Sequence, residues 1–245
     1  MKNKTGTYLK YAFGEIFLVV LGILIALQIN TWNEERKAII SEKSQINNIY
    51  EDIQRDVSKI DWIIGQLTNQ YTTGVEVLEI LENKESIIID SARMVTNIAW
   101  VMSDLIPVAR DENTWDGIKV QGIKTYVIND SLTGQLNTFY AGFDRNIDRF
   151  EQSPKKFRQE LRELTANCHN SNSIKAIFEN GVGYYGQSSS QLRYCVLSLE
   201  ETPQLVGAIT MSSIVNIELY KALKKEGETI MRYMEQHVDF SLEEA

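Results

Sequence analysis

The sequence has few residues that break a helix, with three prolines and fourteen glycines among 245 residues. Proline and glycine mark turns and the ends of short strands, so their scarcity favours long helices over a β-rich fold. Hydrophobic residues make up 43% and charged residues 24%, which are the proportions of a folded chain rather than a disordered one. The length allows one large domain or two small ones.

The chain also lacks a surplus of positive charge. Its formal net charge is -8, and no run rich in lysine and arginine is present that could follow a phosphate backbone. These two features exclude the usual nucleic-acid-binding classes, and we predict no nucleic-acid partner.

Motifs that carry catalysis are missing as well. The sequence has no G-x-S-x-G elbow, no phosphate-binding G-x-x-x-x-G-K-[ST] loop and no G-x-G-x-x-G. Cys168, His169 and Cys195 offer metal-binding atoms, but neither C-x-x-C nor H-E-x-x-H spacing occurs. A Cys168–His237 nucleophile pair stays open, although two such common residues carry little information. We therefore predict no enzyme activity, no metal and no cofactor.

Only two cysteines are present, Cys168 and Cys195. In a reducing compartment they are expected to be small buried apolar residues. In an oxidising compartment they are candidates for a disulfide, which would stabilise the fold by about 3 kcal/mol in the chain-entropy model. Whether the two cysteines pair depends on the compartment in which they lie, and the sequence leaves this open.

One long apolar run is present near the N-terminus. Every residue from Ile16 to Leu27 is apolar or glycine. The wider segment from Tyr11 to Thr31 would be about 31 Å long as a helix, which matches a bilayer core. Residues 28–32 offer no small-x-small cleavage site, so a transmembrane helix is favoured over a cleaved signal peptide. A buried core helix is the other alternative, and it would need packing on all sides.

The orientation of this span follows from its layout rather than from its charges. Three basic residues precede it and three follow it closely, so the Lys/Arg count is a tie. A short tail of residues 1–10 before a long domain is the usual arrangement of an uncleaved signal-anchor. We expect the N-terminus in the cytoplasm and the large domain exported.

Polar and small residues give the predicted span a face of its own. Gly14, Leu18, Gly22 and Ala26 recur every fourth residue and would let another helix approach closely. Glu15 is the one ionisable residue within the span, and such residues often relay protons or contact partners. Because Glu15 lies one turn inside the span, its carboxylate can also simply reach the interface.

After the span, apolar residues continue at a helical spacing averaging near 3.6. They are Ile46, Ile49, Ile53, Val57, Ile60, Ile64, Leu67 and Tyr71. In a strict heptad register Glu42, Asp56 and Gln70 would fall at core positions, so packing within one chain is favoured over a long parallel coiled coil. We predict a mainly α fold with four parts: a tail at 1–10, a transmembrane helix at 11–31, a stalk and first bundle helix at 32–85, and further bundle helices at 86–245.

The remaining helices are predicted from caps and periodicity. The expected elements are a helix from Asp90 to Leu105, a short helix from Thr114 to Gln121, an extended piece from Ile123 to Ile128, a helix capped by Asn129, a restart at Ser153-Pro154, and a last helix after Thr202-Pro203.

Three other features suggest where a site could lie. Residues 167–190 are rich in Asn, Gly and Ser and are predicted to be an irregular loop. The polar run from Arg110 to Asp116 surrounds Trp115, and it either lines a pocket or forms a capped turn at a bundle end. Trp62, Trp100 and Trp115 are predicted to be core anchors.

The N-terminal block shows a resemblance. It consists of Gly14-Glu15-Ile16, Leu18-Val19-Val20, Gly22 to Asn30 and Trp32 to Arg36. The block resembles a family of uncharacterised bacterial membrane proteins, catalogued as a domain of unknown function. The resemblance implies a bacterial inner-membrane location, a helical region after the block and no known enzyme activity. Because the block specifies Glu15, Gln28, Asn30 and Trp32, it also suggests recognition by another membrane protein or a defined oligomer.

Three functions follow as hypotheses. The first is a membrane-anchored helical interaction, scaffold or sensor protein, with the lipid bilayer and another membrane protein or a second copy as partners. The second is an accessory subunit of a transport or proton-coupled complex that uses Glu15 in the membrane. The third, an enzyme, has no motif in its favour.

Overall fold

The computed structural model describes residues 4–82, 91–105, 109–111, 113–121 and 129–238. These residues form seven α-helices and one 3-10 helix, with no strand among them. The helices are α1 (Lys4–Glu82), α2 (Ser91–Val101), α3 (Asn113–Gln121), α4 (Asp130–Ala166), α5 (Ser171–Asn180), the 3-10 helix (Val182–Gln187), α6 (Ser190–Ser198) and α7 (Thr202–His237). The prediction of a mainly α fold is confirmed.

Helix α1 is a single rod of 79 residues, or about 118 Å at 1.5 Å per residue. Residues 13–37 are exposed along the whole circumference. From Ile46 onward one face is buried, and that face is the predicted apolar stripe. By length and composition α1 is the one described helix apolar enough to cross a membrane.

The other helices form a bundle on one side of the second half of α1, and its columns alternate in direction. Helix α7 runs antiparallel to α1, because Tyr50 pairs with Glu235 near one end and Gln70 with Ser213 near the other. Helix α2 also runs antiparallel to α1. Helix α4 runs antiparallel to α7, because Asn129 at its start bonds to Tyr233 and Asn146 farther along lies beside Leu219. The result is four columns, formed by α1, by α2 with α3, by α4 and by α7.

The largest buried side chains lie in the half of the bundle nearer to the exposed segment. Phe139 contacts both Tyr140 and Phe143 edge to face, with ring centroids 5.2 and 6.0 Å apart. Tyr220 and Trp115 complete this aromatic core. Fully burying one large apolar side chain contributes about 1.5–3 kcal/mol, so this layer is a main source of stability.

Several predicted helix ends are found and others differ. The Asn129 side chain caps α4 by accepting a hydrogen bond from the Leu132 amide at 2.8 Å, as predicted. Helix α2 ends at Val101, four residues before the predicted end at Leu105. The predicted extended piece at 123–128 and the predicted cap at residue 90 lie outside the described residues.

The predicted restart at Ser153-Pro154 is wrong, because α4 continues through Pro154 without a break. Proline removes one helical hydrogen bond but leaves the apolar stripe in phase. Phe157 follows Phe143 by about 3.9 turns, so both lie on the same face of one helix. Leu161 continues that face and is fully buried, and burying the stripe favours a continuous helix.

The prediction of an irregular loop at 167–190 is also wrong. This stretch contains α5 and the 3-10 helix and ends at the start of α6. Asn170 caps α5 through a capping box with Ser173, and Gly181 ends it at a φ of 83°. The Asn, Ser and Gly residues that indicated a loop therefore act as helix caps and stops.

The three tryptophans predicted to be core anchors differ in burial. Trp115 is fully buried, but Trp62 and Trp100 are 53% and 57% exposed, so the prediction of three core anchors fails for two of them. Trp62 lies off the stripe of Ile60 and Leu67, and phase rather than residue type decides which α1 side chains are buried. Glu42, Asp56 and Gln70, by contrast, do lie at the buried positions that a strict register assigns them.

Candidate functional site

A buried polar cluster lies between the end of α2 and the start of α3. There the segment 109–111 packs against α1. The fully buried Asp56 carboxylate accepts the Asp111 backbone N–H at 3.1 and 3.3 Å and a hydrogen bond from Lys59 Nζ at 3.1 Å. Lys59 also reaches the Ala109 carbonyl at 3.3 Å and the Asp111 carboxylate at 3.2 Å. The Asp56–Lys59 pair of α1 thus holds residues 109–111 against this helix.

The charges of this pair depend on their surroundings. Burial raises the pKa of Asp56, against the opposing effect of the hydrogen bond from Lys59. Burial alone would lower the pKa of Lys59, but its bonds to Asp56 and Asp111 raise it. For Asp111, burial acts to raise the pKa, and the bonds from Arg55 and Lys59 outweigh it and lower the pKa. Lys59 and Asp111 therefore stay charged at neutral pH.

The second half of the cluster is built on Arg110, which links α3 to α4. Its guanidinium donates from Nε to Asp144 at 2.9 Å and from Nη2 to Asp116 at 3.1 Å. The same guanidinium lies 5.2 Å from the ring centroid of Tyr140, within cation–π range. The Tyr140 ring stacks on Trp115 with centroids 6.2 Å apart.

Four buried polar atoms in this cluster have no hydrogen-bond partner among the described residues. They are Asp52 Oδ2, Arg110 Nη1, Trp115 Nε1 and the Tyr140 hydroxyl. Burial raises the pKa of Tyr140, so its hydroxyl stays protonated at neutral pH. Within the described residues the cluster thus holds three buried donors and one buried acceptor, and leaving such groups without partners costs free energy.

The two cysteines lie at the other end of the bundle. Cys168 and Cys195 form a disulfide with their Cα atoms 5.5 Å apart, a pairing that the sequence left open. Cys168 is therefore no free nucleophile for His237. Beside the bond, His169 Nε2 lies 3.1 Å from the Tyr185 hydroxyl, and burial lowers the pKa of this histidine. Within the described part of the chain, no group of three or more His, Cys, Asp or Glu residues is placed to hold a metal.

The residues predicted to make membrane-helix contacts all lie on the exposed half of α1. They are Glu15, Gln28, Asn30 and Trp32 together with the small-residue stripe of Gly14, Leu18, Gly22 and Ala26. Added Cβ atoms at Gly14 and Gly22 would meet nothing within 4 Å. Asn30 bonds to Glu34 of its own helix at 3.1 Å. The bundle does not cover this segment.

Sequence reasoning found part of the polar cluster. The dense polar run around Trp115 indicated a candidate site, and Arg110 and Trp115 do belong to the cluster. Asp52, Lys59 and Tyr140 were not singled out, since each looks like an ordinary helix residue. Acid–base spacings of three residues are the local signals for these positions, Asp52 with Arg55 and Asp56 with Lys59.

These features define a class: a mainly helical protein in which one helix is suited to a membrane and continues into a bundle. Residues 15–97 match the model of a family of unknown function (DUF6090), a match that begins at Glu15 within α1 and ends within α2. No curated protein and no solved structure matches the chain. The comparisons therefore support an uncharacterised domain family over these residues, without an activity.

Proposed function

We propose that this chain is a single-pass membrane-anchored interaction protein, which holds a helical bundle at a fixed distance from a bacterial inner membrane as a scaffold or sensor. The observation that carries the proposal is α1. One continuous helix leaves its apolar segment exposed and forms one column of the bundle with its other half.

The exposed segment has the properties of a bilayer span. Its large side chains, from Phe13 to Ile29, are each between 42% and 69% exposed. Apolar surface of this extent is unfavourable in water, because each large side chain loses about 1.5–3 kcal/mol relative to burial. A lipid bilayer removes this surface from water and requires no further protein.

The disulfide supports an exported bundle. Such bonds form and persist in oxidising compartments and are rare in the cytosol. With Cys168 bonded to Cys195, the favoured arrangement is an uncleaved signal-anchor with its N-terminus in the cytoplasm. The bundle then lies outside the cytoplasm, and the polar cluster at Asp56 lies about 38 Å beyond Thr31 along α1.

Labelling of introduced cysteines tests this topology. Phe178 is 90% exposed at the far end of the bundle, so Phe178→Cys should react with a membrane-impermeant thiol reagent in intact cells. The control Thr5→Cys should react only after the membrane is permeabilised. Native Cys195 should react only after reduction. If Thr5→Cys reacts in intact cells and Phe178→Cys does not, the orientation is reversed. If the chain is absent from washed membranes, the anchor itself is refuted.

A second candidate function rests on Glu15. This carboxyl lies in the exposed apolar segment about 1.9 turns before Gly22, on the side of the small residues. There it would face a partner helix in a transport or proton-coupled complex. The test is Glu15→Gln, which keeps the shape and removes the charge. Loss of complex activity with intact assembly favours this function, and an unchanged phenotype favours the scaffold.

A further inference from the structure

A surface pocket of about 460 Å³ lies between the antiparallel helices α4 and α7. Its floor is apolar and consists of Gly142, Leu219, Ala222 and Leu223. Gly142 and Ala222 have little or no side chain, so the two helices leave this space open between them. This volume, and a mostly apolar lining with a few polar groups, are typical of pockets that bind small molecules.

Two opposite charges flank one point of this pocket. A Cβ added at Gly142 would lie 3.7 Å from Glu226 Oε2 and 3.8 Å from Arg145 Nη2, so both side chains reach the same part of the pocket from opposite helices. The two groups nevertheless form no ion pair within 4.0 Å. Within the part of the chain that the structure describes, neither has another hydrogen-bonding or ionic partner. Both charges are thus available to a ligand.

Asn146 adds a third polar group to the lining. Its Nδ2 donates to the Leu219 backbone carbonyl at 3.3 Å, which holds the amide against α7. Its Oδ1 accepts no hydrogen bond from any described residue and is a further acceptor for a ligand. The pocket therefore offers one guanidinium, one carboxylate and one amide oxygen around an apolar floor.

We propose that this pocket binds a free α-amino acid with an apolar side chain. The Arg145 guanidinium donates to the α-carboxylate of the ligand, the α-ammonium donates to the Glu226 carboxylate, and the ligand side chain packs on the floor. An α-amino acid carries both charges on a single carbon atom, so it matches two opposite charges that lie within 3.8 Å of one point. A ligand with only one charge would leave one of the two groups without a partner.

The pocket lies between two neighbouring columns of the bundle, α4 and α7. A ligand that bridges them binds the folded bundle and not the unfolded chain, so it stabilises the packing of these columns. Binding itself is independent of the membrane anchoring. The inference adds a ligand to the sensor role proposed above, and only the access of that ligand from outside the cytoplasm rests on the proposed topology.

Titration calorimetry of the full chain in detergent tests the pocket with three ligands of similar shape. Leucine carries both charges, 4-methylpentanoate lacks the ammonium group, and 3-methylbutylamine lacks the carboxylate. We expect leucine to bind at least about tenfold more tightly than either analogue, because each analogue loses one charge-assisted hydrogen bond.

Charge-removing variants connect each charged group of the ligand to one side chain. In Glu226→Gln, the advantage of leucine over 4-methylpentanoate should shrink to about twofold, while its advantage over 3-methylbutylamine persists. In Arg145→Gln the two results should be exchanged. Lys155→Gln and Glu218→Gln are the matched controls, because these exposed residues of α4 and α7 lie outside the pocket and their replacement changes the net charge equally. Both controls should bind leucine like the native chain.

Filling the pocket gives an independent measure. A methyl group at Gly142 would stand between the two charged groups and 3.3 Å from Leu223 Cδ1, so Gly142→Ala should weaken leucine binding about tenfold. Gly134→Ala is the control, since a Cβ at this glycine of α4 would meet nothing within 4 Å, and it should leave binding unchanged. Circular dichroism checks that both variants are folded.

Three outcomes overturn the site. They are no saturable binding of leucine up to about 10 mM, equal binding of the three ligands, and unchanged selectivity in both Glu226→Gln and Arg145→Gln. None of these measurements depends on the orientation of the chain in a membrane. Their failure therefore leaves the proposed function standing, and a failed topology test leaves the pocket standing.

Discussion

Gly186 is the position at which adding a single methyl group should destabilise the fold most. A Cβ added there would lie 1.7 Å from the Ala92 carbonyl oxygen and 2.7 Å from Thr96 Oγ1. The nearest atom belongs to the backbone of α2 and cannot rotate away. The Gly186 amide donates to Thr96 at 3.0 Å, and its carbonyl accepts from Arg193 at 2.9 Å. Gly186→Ala must therefore push the 3-10 helix away from α2 and weaken both bonds.

The size of the effect follows from these contacts. Overpacking of this kind costs about 1–3 kcal/mol, and each of the two weakened hydrogen bonds adds about 1 kcal/mol, so we expect a loss of about 3–5 kcal/mol. For a chain of this size, that corresponds to a fall in Tm of about 6–20 °C. Thermal unfolding of the full chain in detergent, followed by circular dichroism, measures this fall.

The matched control lies three residues earlier. Gly183 belongs to the same 3-10 helix, and a Cβ there would meet nothing within 4 Å. Gly183→Ala should change stability by no more than about 0.5 kcal/mol. If the two variants melt at the same temperature, the close approach of Gly186 to α2 is not a determinant of stability and the reasoning fails.

Three further perturbations have defined outcomes. Replacing Cys168 and Cys195 by serine should lower the free energy of unfolding by about 3 kcal/mol, measured by urea denaturation, and adding reductant to the variant should have no further effect. Asp104→Asn removes the carboxylate that pairs with the buried Arg158 at 3.2 Å and should cost about 2 kcal/mol; in a double-mutant cycle, its effect should shrink when Arg158 is already methionine. Burial lowers the pKa of His169 below its usual 6.5, so the unfolded chain binds a proton first as the pH falls. Stability should therefore drop below about pH 6.5 in the native chain and less so in His169→Phe, and parallel pH profiles would contradict this.

Helical periodicity made α1 predictable from the sequence. A stripe that repeats every 3.6 residues indicates both the helix and its buried face, and Ile46, Ile53 and Leu67 lie where the pattern places them. The same phase assigns Trp62 to the outside. The prediction of a buried Trp62 is wrong because it rests on residue type alone, and helical phase places this side chain outside.

Contacts between distant parts of the chain are harder to predict from the sequence. The polar cluster joins α1 to residues about 55 and 85 positions away, and local spacing cannot indicate such neighbours. Asn, Ser and Gly in residues 167–190 are as typical of helix caps as of loops, so composition alone could not separate the two. The spacing of Cys168 and Cys195 likewise says nothing about the distance between their Cα atoms.

Because α1 is one unbroken helix, a rotation of its apolar segment moves the far end of the helix through a larger distance. Glu82 lies about 76 Å beyond Thr31 along the helix axis. With the apolar segment in a bilayer, as we propose, a change in tilt of about 10°, well within the range that spans adopt as bilayer thickness varies, would swing that end sideways by about 13 Å. A small adjustment in the lipid then becomes a displacement wider than a helix at the disulfide-bearing end.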